Sequence, residues 1–251
     1  MKTQLLTAGL ILASAISQTV VAKDVTVKVT NLTAQIYFTP LIIAAHSNNL
    51  DFYELTMPAS FNLQKMAEGG DISGLVADAE SYGANYVANP ASGRLAPGAS
   101  TTATISITNK KNRYLSLAAM LLPTNDGFVA EDSLELPTKP GVYTYYLNGY
   151  DAGTEANDEL VTGGGAPGVS GIPGDPGGHS GTGGSGVIDH EINPVVHVHP
   201  NNLGDFDNTT GISDLNSRVH RWLNPVAELE ITISCGKNES GNSQRNQKDC
   251  D

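Results

Sequence analysis

An acidic stretch is the clearest chemical signal in this sequence. Residues 150–159 read Tyr-Asp-Ala-Gly-Thr-Glu-Ala-Asn-Asp-Glu, and the carboxylates of Asp151, Glu155, Asp158 and Glu159 fall within nine positions. Like charges this close repel one another unless solvent or a cation compensates them. Hard divalent ions such as calcium take about six to eight oxygen ligands from carboxylates and carbonyls on flexible loops. The stretch is therefore either a solvated acidic loop or part of a calcium site.

A second cluster combines histidines with acidic residues. His190 lies between Asp189 and Glu191, and His197 and His199 follow within the next nine residues. Residues two apart on a strand face the same side. His197 and His199, jointly with His190, therefore form a candidate site for zinc or copper. The alternative is a polar strand whose histidines are solvated or hydrogen bonded.

Motifs of the common enzyme classes are scarce. The sequence contains no Gly-x-Ser-x-Gly nucleophile elbow, no His-Glu-x-x-His zinc motif and no phosphate-binding loop. The scarcity favours a non-enzymatic function. The competing hypothesis is a zinc- or copper-dependent enzyme centred on His190, His197 and His199.

The first 22 residues have the pattern of a signal peptide. A basic start at Lys2 precedes an apolar run over 5–16, and small residues over 20–22 offer a cleavage site before Lys23. Such segments are removed on export. No other run approaches the roughly 18 apolar residues that a membrane span needs. We therefore expect a secreted, periplasmic or cell-surface protein without a membrane span.

Charge narrows the class of partner. The formal net charge is −12, with 14 Lys and Arg against 26 Asp and Glu. This balance disfavours nucleic acid and anionic lipid as direct partners and suits cation binding. The two cysteines, Cys235 and Cys250, either close a small loop near the C-terminus in an oxidising compartment or stay free for intermolecular pairing.

Hydrophobic periodicity predicts many short strands and few helices. Alternation of apolar and polar residues, or short apolar runs, predicts strands over 24–30, 34–45, 100–107, 114–122, 142–147 and 227–233. Helical spacing occurs over 61–67 and 72–79, and the segment 122–136 has the sequence of a loop. This pattern predicts a mainly β protein, an antiparallel β-sandwich with one or two short helices.

A glycine-rich segment interrupts the predicted domain. Glycines recur every third residue within residues 163–186, but a collagen helix needs a far longer run of such triplets. We therefore predict a flexible Gly/Pro-rich surface insertion, with assembly through this segment as the alternative. The domain would then extend over residues 23–235, followed by a disordered polar tail over 236–251.

Two acidic motifs in order resemble the N-terminal spondin domain of F-spondin and of exported bacterial proteins. The motif Pro-Thr-Asn-Asp-Gly-Phe-Val over residues 123–129 precedes Asp-Ala-Gly-Thr-Glu over 151–155. The sequence Asn-Pro-Val-Ala over 224–227 is similar to the family's segment before its final strand. The resemblance extends from Val25 to Ile233 around the glycine-rich insertion.

The resemblance implies a β-sandwich similar to the C2-like domains that bind membranes in a calcium-dependent way, with a calcium ion held by loops at one end. By position, the family's ligands correspond to Asp126 from an earlier loop and to Asp151 and Glu155 from a later one. Glu155 stands where the family usually has aspartate, and Asp158 is a substitute ligand. Both side chains carry oxygens of the kind that calcium binds.

The combined expectation is an exported calcium-binding spondin-like module. The resemblance implies a function in adhesion or in binding an extracellular protein or glycan. The alternatives are the histidine-centred metalloenzyme and a structural surface protein that assembles through residues 163–186. The sequence leaves the oligomeric state open.

Overall fold

The structure, a computed structural model, describes residues 23–177, 181–187, 193–207 and 210–235. Within these residues the chain forms nine strands and two helices. They are β1 (Lys23–Asn31), β2 (Tyr37–Phe38), β3 (Ile42–His46), α1 (Phe61–Gly69), α2 (Ser73–Ser81), β4 (Asn85–Ala88), β5 (Ser100–Ile107), β6 (Tyr114–Leu122), β7 (Gly127–Glu135), β8 (Gly141–Asp151) and β9 (Ala227–Cys235).

The strands form one antiparallel sheet that nearly closes on itself. Its order is β4-β3-β6-β7-β8-β9-β1-β5, and β2 adds to β6 beside this path. The two edge strands β4 and β5 contact each other, which gives a nearly closed, barrel- or sandwich-like arrangement. The expected mainly β antiparallel fold with short helices is therefore confirmed.

The interior of the barrel is filled by alternating residues of its strands. On β1, Val25, Val27 and Val29 are fully buried, whereas the residues between them are partly exposed. Val27 lies opposite Ala103 of β5 and Ile231 of β9. The period-two pattern of the sequence therefore marks the face of the sheet that forms the core.

A second core lies outside the barrel, under the helices. Strand β6 is buried on both faces, because Leu117 points into the barrel core while Met120 belongs to the outer core. Leu63 and Met66 of α1 cover this outer face together with Phe128 of β7. Each fully buried side chain of this size contributes about 1.5–3 kcal/mol.

The predicted elements are all present, but two strands were not predicted and one predicted strand is divided. The run 34–45 separates into β2 and β3 around Pro40, which cannot donate to a strand ladder. Strand β4 was not predicted. The prediction of a loop over 122–136 was wrong, because most of this segment is β7.

The acidic second half of β7 explains that error. Glu131 and Asp132 break the apolar pattern that Phe128 begins. Asp132 is accommodated because its Oδ1 accepts a hydrogen bond from the Phe52 amide at 2.7 Å and one from the Ser116 hydroxyl at 3.1 Å. Tertiary hydrogen bonds of this kind leave no trace in local periodicity.

The glycine-rich insertion packs against the domain where it is described. Ile172 is fully buried in the outer core. The amide of Gly168 donates to Glu68 Oε2 at 2.6 Å, and the amide of Gly171 donates to Glu155 Oε1. Residues 168–170 of the insertion are exposed, whereas Ile172 and the glycines beside α1 pack closely because glycines without Cβ atoms let the backbone approach this helix.

Several predictions concern residues outside the described ranges. These are the signal peptide over 1–22, the tail over 236–251, His190 and Cys250. Among the helices of the described ranges, none is long and apolar enough to cross a membrane.

Candidate metal centre

The acidic residues meet because of the strand register at one end of the sheet. Asp126 ends a short turn between β6 and β7, and Asp151 is the last residue of β8. Gly127 pairs with Asp151 across the β7–β8 ladder. Asp126 therefore lies beside Asp151 although 24 residues separate them in the sequence.

Three oxygen atoms converge on the side-chain amide of Asn201. Its Nδ2 lies 3.0 Å from Asp126 Oδ1, 3.1 Å from Asp151 Oδ2 and 2.9 Å from Asn157 Oδ1. An amide nitrogen carries only two protons, so three acceptors compete for them. The Asn201 Oδ1 atom is itself buried without a hydrogen-bond partner among the described residues. Hard oxygen donors thus surround one point in the interior.

The two carboxylates are deeply buried. Asp126 is fully buried and Asp151 is 1 % exposed. Within the described ranges, no lysine or arginine lies at ion-pair distance from either residue. Burial, and next the charge of Asp151, raise the pKa of Asp126 well above its ordinary value, against the opposing effect of the Thr154 and Glu155 amides. Among the described residues, hydrogen-bonding amides offset the charge of this pair, and the adjacent histidines His197 and His199 do so where they are protonated.

The two oxygens of Asp126 have different surroundings. Its Oδ2 accepts hydrogen bonds from the backbone amides of Thr154 at 2.8 Å and Glu155 at 3.2 Å. Its Oδ1 instead faces Asn201, at the point where Asp151 also contributes an oxygen. The backbone of the acidic stretch thus fixes Asp126 and leaves one oxygen for a ligand.

Glu155 and Asp158 meet at a neighbouring but separate point. Asn125 Nδ2 lies 3.0 Å from Glu155 Oε1 and 2.9 Å from Asp158 Oδ1. Glu155 Oε2 is buried without a hydrogen-bond partner in the described structure. Burial raises the pKa of Glu155 to about 7, although the hydrogen bonds from Asn125 and Gly171 act in the opposite direction. The four predicted calcium ligands therefore form two pairs, each around an asparagine amide.

The histidines predicted as a separate cluster lie against Asp151. His199 Nδ1 is 3.2 Å and His197 Nε2 is 3.9 Å from Asp151 Oδ2. One ligand atom from each of the three residues can be chosen so that all lie within 4.8 Å of one another. The structure thus brings the second cluster to the first, with Asp151 common to both. His190, the third histidine of the prediction, is not among the described residues.

Sequence reasoning missed the asparagines that organise these contacts. Asn125 precedes Asp126, Asn157 lies within the acidic stretch, and Asn201 follows His199 by two residues. Their only signal in the sequence is proximity to predicted ligands. An amide side chain provides both a donor and an acceptor, so its role depends on the fold around it.

Comparison with known proteins identifies the family. No curated protein matches the chain. The model of the spondin N-terminal domain, Spondin_N, matches residues 14–159, a region that includes all four predicted calcium ligands. Spondin domains are typically extracellular and are not a family of enzymes, in agreement with the expected non-enzymatic function. Because the match covers more than half of the 251 residues, this chain belongs to the spondin N-terminal domain family.

Proposed function

We propose that this chain is an exported spondin module stabilised by calcium, and that Asp126 and Asp151 bind the ion. The observation that carries the proposal is the convergence of Asp126 Oδ1 and Asp151 Oδ2, both buried, on one point near Asn201. Asn157 adds an amide oxygen there, and carboxylate and amide oxygens are the donors that calcium prefers. The residues present therefore fit the ion that the family resemblance implies.

The unpartnered oxygens support the same proposal. Asn201 Oδ1 is buried without a hydrogen bond, and the oxygen and nitrogen of an amide are nearly interchangeable in shape. Asn201 can therefore act as a donor when the site holds no ion and as an oxygen ligand when it does. Glu155 Oε2 and the Asp158 carboxylate form a neighbouring reserve of oxygens.

Calcium would neutralise two buried like charges and fix three segments of the chain to one another. These are the turn before β7, the end of β8 and the segment that carries Asn201. A ligand present at 100 times its dissociation constant stabilises the folded state by about 2.7 kcal/mol. For a domain of this size, that corresponds to a rise of roughly 5–10 °C in melting temperature.

Thermal unfolding in calcium and in a chelator tests the proposal. We expect the melting temperature of the mature chain to rise by roughly 5–10 °C in calcium. Asp126→Asn should abolish most of this rise, because it removes one ligand charge. The matched control is Asp132→Asn on the following strand β7, whose carboxylate accepts hydrogen bonds from the Phe52 amide and the Ser116 hydroxyl. Equal melting temperatures in calcium and chelator for the unmodified chain would refute the calcium site.

We further propose that the ordered end of the sheet binds an extracellular protein or glycan. Leu203 follows Asn201 by two residues, is 51 % exposed, and has its amide bound to buried Glu159 at 2.6 Å. An ion that fixes Asn201 would therefore also fix this exposed apolar side chain. Binding to extracellular matrix proteins and glycan arrays should weaken on chelation and in a Leu203→Ser variant. Binding that ignores both changes would argue against this surface.

A further inference from the structure

We propose that Asp151, His197 and His199 form a second metal site, selective for a transition metal of the zinc class. The proposed set contains one carboxylate oxygen and two imidazole nitrogens. Imidazole suits zinc, copper and nickel, whereas calcium takes oxygen ligands. This site has a different ligand set from the calcium site, apart from the shared carboxylate oxygen Asp151 Oδ2. His197 and His199 also lie beyond the residues that the family model matches.

The spacing of the three ligand atoms fits a small tetrahedral ion. Zinc bonds of about 2.0–2.1 Å place neighbouring ligand atoms about 3.3–3.4 Å apart. His199 Nδ1 and Asp151 Oδ2 are 3.2 Å apart, close to this value. His197 Nε2 and Asp151 Oδ2 are 3.9 Å apart, so a small side-chain movement completes the set.

The hydrogen bonds of His197 prepare its Nε2 as a ligand. Its Nδ1 lies 2.8 Å from the carbonyl oxygen of Val195, a contact that requires a proton on Nδ1. In the neutral ring, Nε2 then carries a lone pair and faces Asp151. A histidine that binds a metal through one ring nitrogen usually donates the N–H of its other ring nitrogen to a carbonyl, a carboxylate or water.

His199 presents a lone pair to the same oxygen. The backbone amide of Asn201 donates to His199 Nδ1 at 3.1 Å, which places no proton on this nitrogen in the neutral ring. The Nδ1 lone pair thus lies 3.2 Å from the carboxylate oxygen of Asp151. The side-chain amide of Asn157 lies beside both atoms, with its Nδ2 2.9 Å from Asp151 Oδ2 and 3.4 Å from His199 Nδ1. Metal binding would exchange these amide contacts for bonds from the ion to the carboxylate oxygen and the imidazole nitrogen.

The backbone holds the ligands in place and leaves an entry path. Asp151 and His197 exchange two backbone hydrogen bonds, of 2.9 Å and 3.0 Å, in an isolated bridge. The side chain of Asp151 is 2 % exposed, while those of His197 and His199 are 25 % and 39 % exposed. The ion can therefore enter from solvent, and water can complete its coordination. Its effect would be to bind the segment around 195–201 to the end of β8.

Zinc titration of the chelator-stripped chain tests this site. Isothermal titration with zinc alone should show one strong equivalent, and cobalt in its place should give visible d–d absorption that depends on the histidines. A His197→Ala, His199→Ala double variant should lose more affinity than the roughly 10–100-fold that removing an outer-shell partner costs. Asp126→Asn should keep zinc binding while it loses the stabilisation by calcium.

The two variants separate this proposal from the calcium proposal. The double histidine variant should keep its calcium-dependent melting temperature, which also shows that it is folded. Zinc binding in the unmodified chain without any effect of calcium would leave the zinc site standing and remove the calcium site. Unmodified chain that binds no zinc, or a folded double histidine variant that binds zinc as well as the unmodified chain, would overturn the zinc site.

Discussion

The barrel and the long segment between β8 and β9 are held together by different groups. In the barrel, backbone groups pair across strands, and β1 is hydrogen bonded along its whole length to β5 and β9. Between residues 152 and 226 the described chain contains no named strand or helix. Scattered backbone hydrogen bonds of turns and loops remain there, and buried carboxylates bind several further backbone amides. Glu159 accepts from Leu203 and Gly204, and Asp214 accepts from Val161, Thr182 and Gly184.

The buried carboxylates themselves are of two kinds. Burial raises the pKa of Asp214, but the amides of Gly184, Val161 and Thr182 outweigh it and hold that pKa below its ordinary value. For Asp126, burial and the neighbouring charge dominate, and the pKa is raised. A carboxylate surrounded by amides needs no further partner, whereas one that faces another carboxylate does. The comparison therefore separates structural anions from candidate metal ligands.

The largest expected effect is on the barrel, and it should be independent of calcium. Leu117 is fully buried in the barrel core, and Leu117→Ala should cost about 2–5 kcal/mol of unfolding free energy. Urea denaturation in calcium and in chelator measures this loss. The difference between the two conditions should equal that of the unmodified chain. Loss of the calcium effect in this variant would show that stabilisation by calcium depends on the packing of the barrel core.

Local pattern was sufficient to predict the barrel because its strands carry their own periodicity. The alternation of Val25, Val27 and Val29 predicts β1, and the apolar run over 114–122 predicts β6 within its observed bounds. Strand β7 was missed because Asp132 belongs to it through hydrogen bonds to residues far along the chain. A strand is predictable from the sequence where the local alternation of apolar and polar residues matches its buried and exposed faces.

The candidate site was predictable only in part. The family motifs indicated Asp126 and Asp151, and the strand register brings them together. Nothing in the sequence showed that Glu155 would turn to Asn125, or that His199 would approach Asp151. These contacts depend on how an irregular segment folds back on the sheet, and such a segment has no period from which to infer it.

The next largest effect should come from a structural carboxylate of the irregular segment. Asp214→Asn weakens three charge-assisted hydrogen bonds and should cost about 2 kcal/mol. Hydrogen exchange should accelerate at Val161, Thr182 and Gly184, while the amides of β1 keep their protection. The control Asp24→Asn changes a partly exposed carboxylate on β1 that accepts a hydrogen bond from the Ser106 hydroxyl, and it should stay within about 0.5 kcal/mol of the unmodified chain. Loss of protection in β1 upon Asp214→Asn would mean that the two regions unfold as one unit.

The smallest effect concerns pH, and it should have opposite signs with and without calcium. The folded-state pKa of Glu155 is raised from 4.5 to about 7, so the folded state binds more protons than the unfolded state between these values. The calcium-free protein therefore loses stability as the pH rises through this window. In excess calcium the ion neutralises the ionised carboxylates, and stability should instead rise with pH because protons compete with calcium for these carboxylates at the acidic end of the window.

Melting temperatures between about pH 5 and pH 8, measured with calcium and with chelator, test whether the two pH dependences have opposite signs. Glu155→Gln removes the titrating group, and the pH slope of the calcium-free protein over this window should become shallower. A slope that Glu155→Gln leaves unchanged would assign the titration to another buried group, with Asp126 the first candidate because burial also raises its pKa. Melting temperatures that change with pH in the same way in calcium and in chelator would contradict the distinction between structural carboxylates and metal ligands. They would show that the ionised carboxylates at this end of the sheet do not need a cation.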